Sequence, residues 1–289
     1  MHLIDGAVAA SKNAAAWALV PFLATSLAAG QSRTGPQVSP RAQSVARIEA
    51  QLRWNDERGK EAYVDARSRL TNEILAEVDG FIRESFMPRT ASPDVVRRGL
   101  DELLNPRRDS FRNNFAATTD LSSGQYLIVG IEIPRGGPAE AEDAISIRAY
   151  RNDSGKFVLV TSVSDVTGTV GEIPYLIDLR VLTLPGPPVS GEFWFFSWAR
   201  ISPQSPPTAA LRLYAFDGKR FRTVWSPAGD LLTEDYSSLV ELVPGGFVVN
   251  RAVDPSGEAP HAPSLLVHEM FVPTVDGAIK VREWTSPVR

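Results

Sequence analysis

The chain has no cysteine among its 289 residues. That one absence excludes thiolate nucleophiles, Cys-ligated zinc, iron–sulfur clusters, c-type haem attachment, disulfides and the acylated cysteine of a lipoprotein. Histidine is nearly as scarce, with His2, His261 and His268 the whole complement. A transition-metal site would have to be built largely from carboxylates, and a serine nucleophile loses its usual base. Neither a metal nor any other cofactor is expected.

Motifs for phosphate or acyl chemistry are missing as well. Gly168-Thr169-Val170-Gly171 carries no lysine and opens no helix, so it reads as a turn. There is no Gly-x-Ser-x-Gly elbow. His268-Glu269-Met270-Phe271-Val272 begins like a zinc-protease helix motif, but Val272 stands where the second histidine is required. The segment reads as strand, in which His268 and Glu269 face opposite ways. Carboxylates cluster in Pro138–Asp143 (PAEAED) and at Glu234-Asp235 without the ligand rhythm of a calcium loop, and they read as solvated loop charge. No catalytic residue is assigned.

Positive charge is also in short supply where a polyanion would need it. The net charge is -4, and from Asn114 onward 20 acidic residues face 14 basic ones. A nucleic-acid partner is therefore not expected.

What the chain does have is enough apolar residue to fold: 43% hydrophobic against 22% charged, close to ordinary globular composition. Its first part is an uncharged run, Ala14–Ala29 (AAAWALVPFLATSLAA), preceded by Lys12 and followed by Gln31-Ser32-Arg33. A positive flank, an apolar stretch too short for a comfortable span and a small-residue exit describe a secretory signal peptide. Residues 1–30 are thus expected to be a leader and 31–39 a linker, with about 260 residues left to form a core.

Ser39-Pro40 and Ser92-Pro93-Asp94 each combine a capping hydroxyl with a first-turn proline, predicting helix starts. Val45, Ile48 and Leu52 recur at helical spacing, and the pattern resumes after Gly59 through Tyr63, Leu70, Ile74, Val78, Phe81 and Ile82, giving one long helix or two broken near Gly59. Val96, Leu100, Leu103 and Leu104 form a further stripe that Asn105-Pro106 ends. Residues 40–110 are expected to be a helical region.

From residue 111 to 289 the texture is that of an antiparallel β domain. About eleven short β-branched and aromatic runs, from Tyr126–Ile133 to Ile279–Trp284, lie too close together for intervening helices. Phe193–Trp198 (FWFFSW) carries aromatics on both faces and is expected to be a covered central strand. The fold class is α+β, the β body being either blade-like, as in part of a β-propeller, or a sandwich.

A weak repeat runs through this body. Asp217-Gly218 and Asp276-Gly277 are each followed, seven residues after the glycine, by Trp225 and Trp284; Asp153-Ser154-Gly155 has Ser162 at that offset. The turn glycines lie 63 residues apart (Gly155 to Gly218) and then 59 (Gly218 to Gly277). That length holds about four short strands, as in one propeller blade.

These features support an exported, periplasmic or extracellular, non-catalytic binding or interaction module, with an extracytoplasmic protein or carbohydrate as partner. Its candidate ligand-binding residues are Trp225 and Trp284 at predicted strand ends, His261 in a Pro-rich loop and His268 within a predicted strand. The alternatives are an extracytoplasmic hydrolase of polysaccharide or peptide using an Asp/Glu pair, and a membrane-tethered scaffold if the leader is retained. Amino-terminal sequencing of protein from the source cell is expected to begin between Ala29 and Gln31; an intact Met1 in membrane fractions would establish the tethered form.

Overall fold

A computed structural model describes residues 38–105, 113–133, 145–165, 179–186, 191–200, 208–229, 231–233, 236–253 and 265–288. The leader, nearly all of the linker, Gly168–Gly171, both acidic clusters and His261 lie outside the described residues. Three helices come first: α1 (Pro40–Glu57), α2 (Lys60–Ser85) and α3 (Pro93–Leu104). Among the described residues, thirteen strands follow, in three sheets.

The helix starts follow from their first residues. Ser39 Oγ accepts from the Ala42 amide at 3.2 Å and Ser92 Oγ from the Val95 amide at 3.4 Å. Each cap satisfies one of the amides that a first helical turn leaves unpaired, a contribution of about 1 kcal/mol. Between α1 and α2 the chain turns at Gly59, whose φ of 105° suits a residue without a β-carbon. Arg41 then clamps the two helices, donating to Glu77 at 2.7 Å and to Glu84 at 2.6 Å.

The first sheet contains β1 (Phe115–Leu121), β2 (Gly124–Glu132), β3 (Ile145–Asp153) and β4 (Lys156–Asp165) in that order. The second contains β5 (Leu179–Thr183), β6 (Phe193–Arg200), β7 (Thr208–Phe216) and β8 (Phe221–Trp225), with the two-residue β9 (Leu231–Leu232) also pairing with β7. A short 3₁₀ turn, Tyr236–Ser238, leads to the third, made of β10 (Val240–Val243), β11 (Gly246–Val253), β12 (Leu265–Thr274) and β13 (Gly277–Pro287). All pairings among the described residues are antiparallel.

Two strands, β1 and β9, were not expected from the sequence. β1 (FAATTDL) is mostly small and polar, and it becomes a strand because its backbone pairs residue for residue with β2 from Phe115↔Gly130 to Leu121↔Gly124. Its propensity is weak, and tertiary pairing decides.

The three sheets recur in detail. In each, the third and fourth strands are joined by a turn containing Gly155, Gly218 or Gly277, and the register between them slips by one residue. The slips fall at Ala149/Tyr150, Leu213/Tyr214 and Met270/Phe271, leaving Val160, Val224 and Val281 as the extra residues of three β-bulges.

Packing runs in chain order. One core joins all three helices to the first sheet: Val45, Leu70, Ile74, Val78 and Leu100 meet Leu127, Val129 and Tyr150. A second joins the first and second sheets, where Ile128 and Ile147 meet Phe195, Tyr214 and Phe216. A third joins the second and third, where Trp194, Phe196 and Trp198 meet Phe247, Val249 and Phe271. β6 therefore buries aromatics on both faces, as a central covered strand should.

Between α2 and the first sheet lies a polar contact. Arg148, in the middle of β3 and only 6% exposed, makes a two-pronged bond to Asp79 at 2.8 and 2.6 Å. Tyr150 donates to the same carboxylate at 2.6 Å. Burial alone would lower the Arg148 pKa, and the Asp79 hydrogen bonds override it to a net rise. Burial, then the Asp79 charge, pushes the Tyr150 phenol well above its usual range. Removing the carboxylate with Asp79→Ala strands a buried guanidinium and is expected to cost about 3 kcal/mol, read as a lower urea midpoint at unchanged slope.

Candidate cleft and the two faces of the third sheet

A cleft of about 540 Å³ opens where the end of the second sheet meets the third, lined by Trp225, Leu231, Arg251, Glu269, Phe271 and Lys280. Trp225 is the last residue of β8, and the Val224 bulge sets the face on which its ring projects. It packs on Phe271 at 4.7 Å and on Phe247 at 5.4 Å between ring centroids, and is left half-buried. The ring is a wedge between two sheets with one part open to the cleft.

The cleft's charges come from adjacent strands of the third sheet. Glu269 on β12 accepts from Arg251 Nε on β11 at 3.3 Å and from Lys280 Nζ on β13 at 3.0 Å. Lys280 also donates to Glu283 at 2.7 Å. Counting Glu283, which flanks the lining, two cations and two carboxylates thus balance. The bond to Lys280 lowers the Glu283 pKa, and the bonds to Glu283 and then Glu269 raise that of Lys280.

This chemistry bears on hydrolysis by paired acids. A general acid needs a carboxyl that holds its proton near neutrality, which requires an upward shift. Glu84, Asp217 and Glu283 are all shifted down. For Asp217, burial would raise the pKa, and the backbone amides of Arg220 and Lys219 override it. Among the described residues, no group of three His, Cys, Asp or Glu side chains is placed to hold a metal ion.

A second opening of about 450 Å³ lies between the first and second sheets, against Asp120, Ser122, Thr183, Glu192, Phe193 and Trp194. Glu192 accepts from Trp194 Nε1 at 2.9 Å and from Arg222 at 3.1 Å. Both of its polar contacts hold the second sheet together.

The residues singled out from the sequence do not converge on one pocket. His268 and Trp284 face each other across β12 and β13, their rings stacked at 5.0 Å and 12°. They project from the face of the third sheet opposite Glu269 and the cleft, because neighbouring residues of a strand alternate. Trp225 and the His268–Trp284 pair are thus separated by the sheet itself, and His261 is outside the described residues. The Arg282 guanidinium also lies over the Trp284 ring, at 5.0 Å.

His268 has polar partners that the sequence did not suggest. Its Nδ1 is 2.7 Å from Asn250 Oδ1 and its Nε2 is 2.7 Å from Ser286 Oγ. The scarcity of histidine argued against a serine–histidine pair, yet β12 and β13 bring one together.

No known family model matches the sequence, and no curated protein matches it. Among solved structures, the α-L-arabinofuranosidase Arb93A from Fusarium graminearum, in complex with an iminosugar inhibitor, is similar over 58% of this chain at 16% identity and a TM-score of 0.30. The match spans 48% of that protein's length and is too slight to bear on fold or function.

If the Lys280 bond sets the ionisation of Glu283, Lys280→Met is expected to raise the Glu283 midpoint in a carboxyl ¹³C NMR titration. An unchanged midpoint would remove that contact from the electrostatics of the cleft.

Proposed function

We propose that this chain is an exported binding module that holds its ligand, without cleaving it, in the cleft at Trp225, and that the ligand is an extracytoplasmic carbohydrate without net charge. The observation that carries this reading is the cleft itself: an aromatic wedge beside four mutually paired charged groups. A site with balanced charge offers donors and acceptors to hydroxyl groups without favouring an anion, and a partly open ring offers an apolar face to a sugar. Export rests on the apolar run Ala14–Ala29 and its small-residue exit. If that leader is retained, the same module would act as a tethered scaffold.

The recurrence of a four-strand meander, a turn glycine and a bulge supports a blade-like interpretation of the three sheets. Under that interpretation the cleft lies at the seam between the second and third blades. The hydrolase alternative gains no support from the acids there, since Glu269 is shared by two cations and Glu283 is held ionised.

Tryptophan fluorescence titration with a panel of neutral oligosaccharides tests the proposal. A saturable change is expected for at least one member, weakened at least tenfold by Trp225→Ala and by Glu269→Gln, with no sugar cleaved. A panel without any saturable response would sink the carbohydrate reading, and release of reducing ends would replace binding by hydrolysis.

A further inference from the structure

On the other face of the third sheet, Asn250, His268 and Ser286 form a continuous hydrogen-bonded row across β11, β12 and β13. We propose that Ser286 is an activated nucleophile in this row, with His268 as its base and Asn250 as a positioning residue, and that it accepts acyl groups from carboxylic esters with good leaving groups.

The protonation pattern follows from the outermost contact. Asn250 Nδ2 donates to the Ser238 carbonyl oxygen at 2.6 Å, so the side-chain oxygen Oδ1 is the atom that faces the imidazole. An amide oxygen can only accept, so His268 Nδ1 carries the proton and donates it there. Nε2 is then left with its lone pair, and the Ser286 hydroxyl donates to it across 2.7 Å. This is the tautomer a general base requires, fixed by a third group, which is the logic of an activated serine wherever it occurs. Trp284 reinforces it by stacking on the imidazole, which holds the ring plane against rotation. All three polar side chains are half-buried, and so remain within reach of solvent.

The chemistry balances without any added component but water. Ser286 Oγ bonds to the ester carbonyl carbon as its proton passes to His268 Nε2. Collapse of the tetrahedral species breaks the bond to the leaving oxygen, which departs with the imidazolium proton as an alcohol or phenol. A water molecule, giving a proton to the same nitrogen, then cleaves the acyl-serine ester to a carboxylic acid, and the proton returns to Ser286. General-base assistance of this kind contributes about 10²–10⁴ in rate. Within the row, Asn250 Nδ2 is already engaged with Ser238 and so does not serve the developing oxyanion. An oxyanion donor is worth about 10²–10³. The substrate class is therefore restricted to electrophiles whose leaving group needs little help.

A fluorophosphonate probe tests the assignment, because it captures a base-activated serine without requiring turnover. With the purified protein, one phosphonyl adduct per chain is expected, mapped by peptide mass spectrometry to Ser286. Labelling should fall at least tenfold in His268→Gln, which preserves hydrogen bonding but has no basic nitrogen, with the circular dichroism spectrum unchanged. Asn250→Ala should slow labelling and Asn250→Asp should restore it, since a carboxylate accepts the same Nδ1 proton. Ser68→Ala, at an exposed serine of α2 outside both sites, should label as the parent does, which shows that labelling is not a general property of exposed serines. An adduct on a different residue, no adduct at all, or undiminished labelling in His268→Gln would each overturn the proposal and leave the row as a cross-strand tether.

Discussion

Arg148 stands in the middle of a strand whose neighbours along the chain are buried, and it can do so only because Asp79 reaches it from a helix 69 residues earlier. A guanidinium at 6% exposure would be forced out of the core without a planar acceptor in register with its two nitrogens. That requirement fixes the rotation of α2 over the first sheet, since a one-residue turn of the helix would swing the carboxylate about 100° away. The apolar contacts of the helical layer do not specify position to this degree: Leu, Ile and Val side chains slide against one another at modest cost. Ser146 and Tyr150, two residues to either side of Arg148 on the same face of β3, complete its surroundings.

Once the helices are fixed to the first sheet, the remaining layers are positioned largely by aromatic packing. Phe195 stacks on Tyr214 within the second sheet, and Tyr126 meets Phe216 edge-on between the first and second. Phe196 meets Phe247 edge-on at 4.5 Å between the second and third. Trp225 extends this last contact outward, and the cleft exists because the wedge holds the ends of two sheets apart. The packing between the sheets and the wall of the cleft are thus the same residue seen from two sides.

Much of the framework was legible in the sequence because it depends on local chemistry. Ser39-Pro40 and Ser92-Pro93 mark helix starts by capping, and the apolar spacing of α2 and α3 gave their buried faces directly. The bulges were not legible, and they matter most for the site. From Thr274↔Gly277 to Phe271↔Lys280 the pairing is uniform, and continued unbroken it would set Glu283 and Thr285 on the face of His268. The single extra residue Val281 shifts the pairing to His268↔Trp284, so that Trp284 and Ser286 share that face instead. A valine carries no local signal for a bulge, so neither the stacking of Trp284 nor the Ser286 contact could be read from spacing. β1 escaped notice for a related reason: its strand character belongs to β2, which supplies its hydrogen bonds.

The chain-order stacking of the layers carries a consequence for how the protein comes into being. Synthesis proceeds from the amino end at about 5–20 residues per second, so Arg148 emerges roughly 3–14 s after Asp79. During that interval α1 and α2 can pair through Arg41 and their facing stripes, while the surface destined for the first sheet has nothing to meet. Each later sheet meets a finished neighbour as it forms, and its main strands pair in sequence order, which keeps the search local. Each layer waits with an open apolar face until the next is made, the helical layer first, and the newborn chain is open to association with other molecules during those few seconds.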